Sequence, residues 1–430
     1  MSLISDPATD RLLWRCTVGP LLGPLFPPGR MNDRVRTPAS GNPSEPPRVP
    51  WGSVLTVVTV AWLSTTPVAA EPPSEEARVD PEAPNAPRHT SRAGSTYDGF
   101  KWKALPLAAY SPDTSFAGGA ALLTMFDMPG EQGRNSSLNL VGLYTLENQL
   151  AGRLQWSLGF DDETWLFTGE AKGGRWPDDF HGIGPHASPL GEGYDSVFFE
   201  STMTAQRRLP GTESVYAGVV HDFEARTISP EADGRLATQA PAGTRGGRAS
   251  GLGVQLALDR RDSRYAARQG TFARARLLYY SPLVASQFEY TEASFDARHY
   301  WRVGGGHSIG IRGFLKLQSG RVPFFKLAHL GGTDMNRGIS GDRFRDQSLL
   351  SGQLEYRSPI FGRFSFATFA SLGSVAHSVD QLLGTAPKWT AGGGIRYFID
   401  EDKQMPLRLD VGFSGDDATP GVYFSIGEAF

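Results

Sequence analysis

The chain has 430 residues, 40% of them hydrophobic, and a formal net charge of -3. That balance excludes a polybasic nucleic-acid binder and an acidic disordered chain, while 51 glycines and 11% aromatics suit strands, tight turns and interfacial rings better than helices. The one cysteine, Cys16, excludes a disulfide framework and a cysteine-based metal site, and Trp14 and Arg15 stand where a lipoprotein anchor would need small residues.

In chain order, the first element is a near-apolar stretch from Val54 to Leu63. It is preceded by Arg30, Arg34, Arg36 and Arg48 and followed by Pro67-Val68-Ala69-Ala70. This pattern reads as a secretory signal cleaved after Ala70, with translation starting at Met31, so that residues 1–70 are extension plus signal. Residues 71–100 carry Pro72, Pro73, Pro81, Pro84 and Pro87 among charges and read as a disordered leader. Downstream, no run reaches the roughly 18 apolar residues of a spanning helix.

From 101 to 430 the pattern changes to short segments that alternate apolar and polar. Leu150, Gly152, Leu154, Trp156, Leu158 and Phe160 share one face, and Ala151, Arg153, Gln155, Ser157, Gly159 and Asp161 the other. Sixteen such segments are expected, near 101–110, 115–126, 135–146, 149–161, 163–174, 194–208, 213–226, 249–261, 271–281, 288–301, 306–319, 347–357, 363–375, 389–399, 405–414 and 420–429. Each has the length of a tilted membrane strand, and a closed barrel satisfies every backbone group while showing oil outside and polar groups inside. The long connections 175–193, 227–248, 320–346 and 376–388 then fall on the outer side, opposite Gly/Pro turns such as Leu209-Pro210-Gly211-Thr212. A soluble sandwich or propeller would need a second apolar layer for faces such as Leu407, Leu409, Val411 and Phe413, and the chain offers none. The fold class expected is all-β, a transmembrane sixteen-stranded antiparallel barrel.

Three motifs carry further information. Leu330-Gly331-Gly332-Thr333-Asp334-Met335-Asn336-Arg337-Gly338-Ile339 lies in the sixth outer loop, Phe424-Ser425-Ile426-Gly427-Glu428-Ala429-Phe430 ends in an aromatic, and Leu258-Asp259-Arg260-Arg261-Asp262 precedes Gly270. Together they resemble the Omp85 superfamily of outer-membrane barrels, the BamA-like and bacterial surface antigen D15 proteins, over about residues 101–430. The resemblance implies an inward-folded sixth loop carrying an Arg-Gly-aromatic motif, and insertion or translocation of polypeptides as the function. It also implies periplasmic POTRA domains, where this sequence has only the Pro-rich leader. Two positions depart from the pattern: Ile339 replaces the aromatic, and Ser371 in Phe369-Ala370-Ser371-Leu372-Gly373 replaces an aspartate. Glu355 matches the family's strand-twelve acid and falls on the polar face with Ser351, Gln353 and Arg357. A guanidinium pushed into a lumen needs a carboxylate with fork geometry. Arg337 is therefore expected to pair with Glu355, with Ser371 adding at most a hydrogen bond. The four residues Arg337, Gly338, Glu355 and Ser371 form either a latch that sets the barrel's state or a static plug anchor.

The barrel seam would join the first and last strands. Pro106 has no N–H for a ladder, and Gly421 and Gly427 weaken the other side, so the seam either opens for a client strand or merely frays. Phe424, Ile426, Gly427 and Phe430 are read as the closing strand and assembly signal. No Gly-x-Ser-x-Gly, His-Glu-x-x-His, Cys-x-x-Cys or phosphate-loop pattern occurs, so neither an enzyme nor a cofactor or metal is expected. Phe180-His181-Gly182-Ile183-Gly184 reads as a loop shaped by its glycines. Arg245, Arg248, Arg260, Arg261, Arg264 and Arg268 divide between an outer loop and an inner turn, which suits lipid headgroup or lipopolysaccharide phosphates better than nucleic acid. The expected partners are outer-membrane lipid and lipopolysaccharide, the general assembly machinery for its own insertion, and unfolded polypeptide clients. The competing reading is a passive pore or surface antigen plugged by its own loop.

Overall fold

In a water-soluble sheet protein the greasy side chains are covered and the ionised ones are wet; here the arrangement is reversed. Along 348–357 the polar residues Ser351, Gln353, Glu355 and Arg357 are buried, while Leu350 and Leu354 are exposed. Along 364–376 Phe364, Phe366 and Leu372 are exposed, whereas Ser365, Phe369 and Ser371 are buried. Leu354 is 50% accessible and Arg396 and Arg408 are 0%. Such a surface is stable only against a non-aqueous surrounding.

The computed structural model describes residues 100–430 apart from 112–114, 127, 129–135, 342, 399–405 and 418–419. The expected signal, the start at Met31, Cys16 and nearly all of the Pro-rich leader lie outside the described residues. Among the described residues no helix is long and apolar enough to cross a membrane.

The strands are β1 (Lys101–Ser111), β2 (Ser115–Phe126), β3 (Ser136–Thr145), β4 (Leu150–Phe160), β5 (Trp165–Arg175), the two-residue β6 (Asp178–Asp179), β7 (Gly193–Arg208), β8 (Val215–Pro230), β9 (Gly246–Asp259), β10 (Gly270–Tyr280), β11 (Tyr290–Arg302) and β12 (Ser308–Gly320). After β13 (Ala328–Leu330) and β14 (Phe344–Asp346) come β15 (Ser348–Arg357), β16 (Phe364–Ala376), β17 (Lys388–Phe398), β18 (Pro406–Ser414) and β19 (Gly421–Ile426). Seventeen form one sheet, and β13 with β14 form a separate two-stranded hairpin. The large sheet is an antiparallel meander: each long strand pairs with the next long strand in sequence, β5 with β7 and β12 with β15 included. Each segment read from alternation coincides with a strand of this sheet, and β6 is the additional member.

Three features differ from the sequence expectation. The connection 321–347 contains the β13/β14 hairpin, and short helices α1 (Arg235–Gln239) and α2 (Val379–Gly384) interrupt two other long connections. Local alternation cannot reveal these pieces, because they are held by packing against the sheet. The last strand stops at Ile426, since Gly427 has φ +83° and turns the chain away from the ladder. Phe430 is therefore not on the closing strand. It is buried beside Tyr300, with ring centroids 6.2 Å apart, in a cluster with Ala267 and Ala429.

Among the described pairings no ladder joins β1 to β19. Side chains of both nevertheless pack against one apolar cluster: Leu105 and Leu107 of β1 and Phe424 and Ile426 of β19 lie against the group of Ala121, Leu123 and Leu407. Tyr265, from the connection between β9 and β10, belongs to the same cluster. Its hydroxyl lies 2.8 Å from Ser137 Oγ of β3, and its carbonyl accepts from the Glu428 N–H at 2.8 Å. A turn from mid-sheet thus reaches residues near both ends of the meander.

Candidate functional site

The connection between β12 and β15 lies against the polar face of the sheet and is anchored at three places. At its base, Phe324 is fully buried with edge-on contacts to Phe180 and Tyr194. Next to it the Lys326 ammonium lies 2.6 Å from Asp222 and 3.5 Å from Glu224 of β8. Burial opposes a charge on Lys326, yet these two carboxylates hold its ammonium well above the ordinary lysine range. Removing that charge strands Asp222 with only Thr202 and Tyr280 as donors. Lys326→Met should therefore lower stability by about 3 kcal/mol, read as a lower urea midpoint of the detergent-folded protein, whereas Lys326→Arg should retain most of it.

Toward the tip, Leu330, Ile339 and Phe344 are buried with Leu349 and Val375 of the wall. Ile339 is thus satisfied as an aliphatic plug where an aromatic was expected. Arg343 donates to the Asp417 carboxylate and to the Asp416 carbonyl (2.5 Å), and the Ser340 N–H donates to Asp417 at 2.8 Å, which ties this loop to the connection after β18. Gly184, one of the two positive-φ glycines of the Phe180–Gly184 segment, donates its N–H to the Arg345 carbonyl at 2.8 Å.

The third anchor is Arg337, fully buried. One Nη donates to Glu355 of β15 at 2.5 Å, and the other donates to Asp410 of β18. Phe369 of β16 underlies the guanidinium, 3.6 Å from ring centroid to Cζ. Glycines let the backbone approach: a Cβ on Gly412 would sit 2.5 Å from the Arg337 carbonyl oxygen, and one on Gly338 would sit 2.6 Å from that of Phe413. The Gly338 N–H donates to the Tyr423 hydroxyl at 2.8 Å, and that hydroxyl donates to the Ile339 carbonyl at 3.2 Å. Ser371, the fourth expected site residue, is buried but its hydroxyl has no partner, so the expected auxiliary hydrogen bond is not made.

The carboxylate that sequence reading missed is Asp410. Alternation places it on the polar face of β18, but only the register of β15 to β18 brings it to Arg337. It also binds Arg396 of β17 at 2.5 Å, and Arg408 lies 3.6 Å away. Glu355 in turn binds Arg357 at 2.8 Å, and Arg408 reaches Asp334 of the loop at 2.9 Å. Glu428 closes the set with Arg396 at 3.0 Å. Four guanidiniums and four carboxylates therefore alternate, so no ion faces an uncompensated like charge. Arg357 also donates to the carbonyls of Ala267 and of Phe430 (2.7 Å), linking this centre to the displaced aromatic.

The remaining seam residues lie apart from it: Phe424 and Ile426 are in the β1/β19 apolar cluster, and Pro106 is opposite Ala120 in the β1/β2 ladder. Of the inner-turn arginines, Arg264 holds Glu163 at 3.1 Å and Arg268 donates to the carbonyls of Gly306 and Ser358, both at 2.8 Å, so their hydrogen bonds serve the protein itself. No group of three or more metal-ligating side chains occurs among the described residues.

A loop Arg-Gly is thus buried between carboxylates of β15 and β18, two strands of one antiparallel meander with β16 and β17 between them. The Omp85 superfamily domain matches residues 199–430, more than half of the chain. The chain belongs to the Omp85 superfamily. No curated protein matches it. Among solved structures, this Omp85 chain is similar to CdiB from Escherichia coli, with 10% identity and a TM-score of 0.51 over 76% of this chain and 62% of that one. It is also similar to BamA from Haemophilus ducreyi lacking POTRA domains 1-3 (12% identity, TM-score 0.48, 76% and 69%) and to CdiB from Acinetobacter baumannii (13%, 0.47, 76% and 59%). It spans less than two thirds of either CdiB chain. At 10% identity the likeness to the Escherichia coli CdiB is one of fold.

Proposed function

We propose that this Omp85 chain is a sixteen-stranded barrel of a bacterial outer membrane, with its sixth outer loop folded into the lumen, and that it assists insertion or translocation of polypeptides there. The observation that carries this reading is the buried Arg337, held between Glu355 and Asp410 on the polar side of a sheet whose other side is greasy. Closure is supported by the apolar cluster common to β1 and β19 and by Tyr265, which touches β3 and Glu428 together. The latch formed by Arg337, Gly338, Glu355 and Asp410 keeps the lumen occupied at rest, and the β1/β19 contact, built on side chains, is the place for a client strand to enter. Its surroundings are outer-membrane lipid and lipopolysaccharide, reached after export by the signal segment and insertion by the general assembly machinery, with residues 424–430 as the assembly signal. Depletion of the protein should lower the abundance of other outer-membrane barrels or of one secreted polypeptide. Unchanged levels of both would remove the client-handling role.

A second reading, a passive barrel plugged by its own loop, is favoured by the three separate anchors of that loop. Planar-bilayer conductance with and without residues 325–342 separates the two. A passive plugged pore conducts strongly once the loop is deleted and its loss leaves other barrels untouched.

A further inference from the structure

Inside the β9–β12 wall the charges do not balance, in contrast to the Arg337 centre. Asp296 of β11 is the carboxylate there, and three guanidiniums converge on it: Arg298 at 2.6 Å, Arg312 at 3.0 Å and Arg274 at 3.5 Å. A fourth, Arg276 of β10, donates its Nε to the Gln255 amide oxygen at 2.5 Å, and Gln255 in turn donates to Gln206 at 2.6 Å. The nearest other acids are engaged elsewhere. Asp222 holds Lys326 at 2.6 Å, and Glu292 holds Lys316 at 2.9 Å. The four guanidiniums have Asp296 as their one ion-paired carboxylate, which leaves a surplus of positive charge on this patch of wall.

That surplus borders a cavity of about 170 Å³, lined by Arg274 and Arg276 together with Thr168, Gln206 and Gln255. The cavity's other ions are internally paired, Arg261 with Asp259 and Arg264 with Glu163. The Gln206–Gln255 amide chain occupies Arg276 Nε and fixes the guanidinium plane, which leaves its Nη groups with one contact, 3.5 Å to Thr204 Oγ1. Arg276, which has no hydrogen-bonded carboxylate, and Arg274, which has only a 3.5 Å share of an Asp296 already held by two closer guanidiniums, stand beside neutral amide and hydroxyl groups, a donor set that oxyanions use. The volume is below that of a drug-sized pocket, which restricts the occupant to a small ion. A second cavity of about 920 Å³ shares Glu163, Tyr216, Asp259 and Arg261 with the first and lies among the turns 161–164, 209–214 and 260–269.

We propose that Arg274 and Arg276, with Gln255 as a positioning residue, form a binding site for a small phosphate-type oxyanion within the wall of β9 and β10. The test is thermal unfolding of the full chain, folded in detergent, in orthophosphate, in glycerol phosphate and in sodium chloride at matched ionic strength. A ligand that binds only the folded state raises the midpoint in a saturable way. The midpoint should rise in orthophosphate beyond the chloride control. A response to orthophosphate alone marks a free ion as the occupant, and an equal response to glycerol phosphate marks a phosphomonoester; both support the site. Arg274→Gln with Arg276→Gln should weaken the apparent affinity at least tenfold, and Arg276→Gln alone serves if the double variant does not fold. Superimposable phosphate and chloride curves for the wild-type protein overturn the proposal, as does a phosphate response that survives these variants. Neither result bears on client handling, which is read from the abundance of other barrels.

Discussion

Glu355→Gln should release the loop between β12 and β15. The carboxylate binds Arg337 at 2.5 Å and Arg357 at 2.8 Å, and Arg396 lies 3.7 Å away, so neutralising it leaves three guanidiniums in a buried site with too little negative charge. Breaking a buried ion pair on one side costs about 3–5 kcal/mol, and every 1.4 kcal/mol is about a factor of ten in an equilibrium. If the loss falls on loop docking, the undocked population rises by two orders of magnitude or more. Limited proteolysis should then cut within 325–342 at least a hundredfold faster, and the folded band on unheated gels should broaden or shift. Glu355→Asp keeps the charge and should stay near wild type. Equal cleavage rates for wild type and Glu355→Gln would show that the pair is not what holds the loop.

Gly338→Ala should have an effect of similar size by a different route. Gly338 has φ +121°, and an added Cβ would lie 2.6–2.8 Å from the backbone oxygen, carbon and nitrogen of Phe413. Backbone cannot yield as a flexible side chain can, and β18 is held in ladders on both edges. The loop tip must therefore withdraw, which takes Arg337 from both of its carboxylates at once. We expect a loss of at least about 3 kcal/mol in docking, read as loop protease sensitivity together with raised single-channel conductance. Adding Glu355→Gln to Gly338→Ala should change little further, because both act on one docking event. Additive effects would place the two residues in separate events.

Much of this fold was legible because a membrane strand carries its own label. Period-two alternation places Leu354 on the greasy face and Glu355 on the polar one without reference to any other strand. The Arg337–Glu355 contact drew on a second source, the family resemblance, together with the requirement that a buried guanidinium find a carboxylate. Asp410 was visible as an inward residue of β18, yet nothing local says that β18 stands where the loop tip lands. That fact lives in the register of Asp410 opposite Gly394 and Tyr423. Ser371 stands where the family pattern has an aspartate, and the structure supplies a second carboxylate, Asp410, from two strands away. The exit of the chain at Gly427 was hidden for a related reason. Phe430 looks like the end of a strand in sequence, and its actual partners, Tyr300 and Arg357, are more than seventy residues upstream.

Tyr265 gives the assembly a sense of order. Its hydroxyl reaches Ser137, 128 positions earlier, and its carbonyl is capped by Glu428 near the other extreme of the polypeptide. Contacts so remote along the chain form late, since the intervening segments must first be arranged. This tyrosine can seat only after the earliest and latest hairpins are both in place, so its turn doubles as a completion check: a half-built meander leaves it dangling, and only a finished one lets it lock.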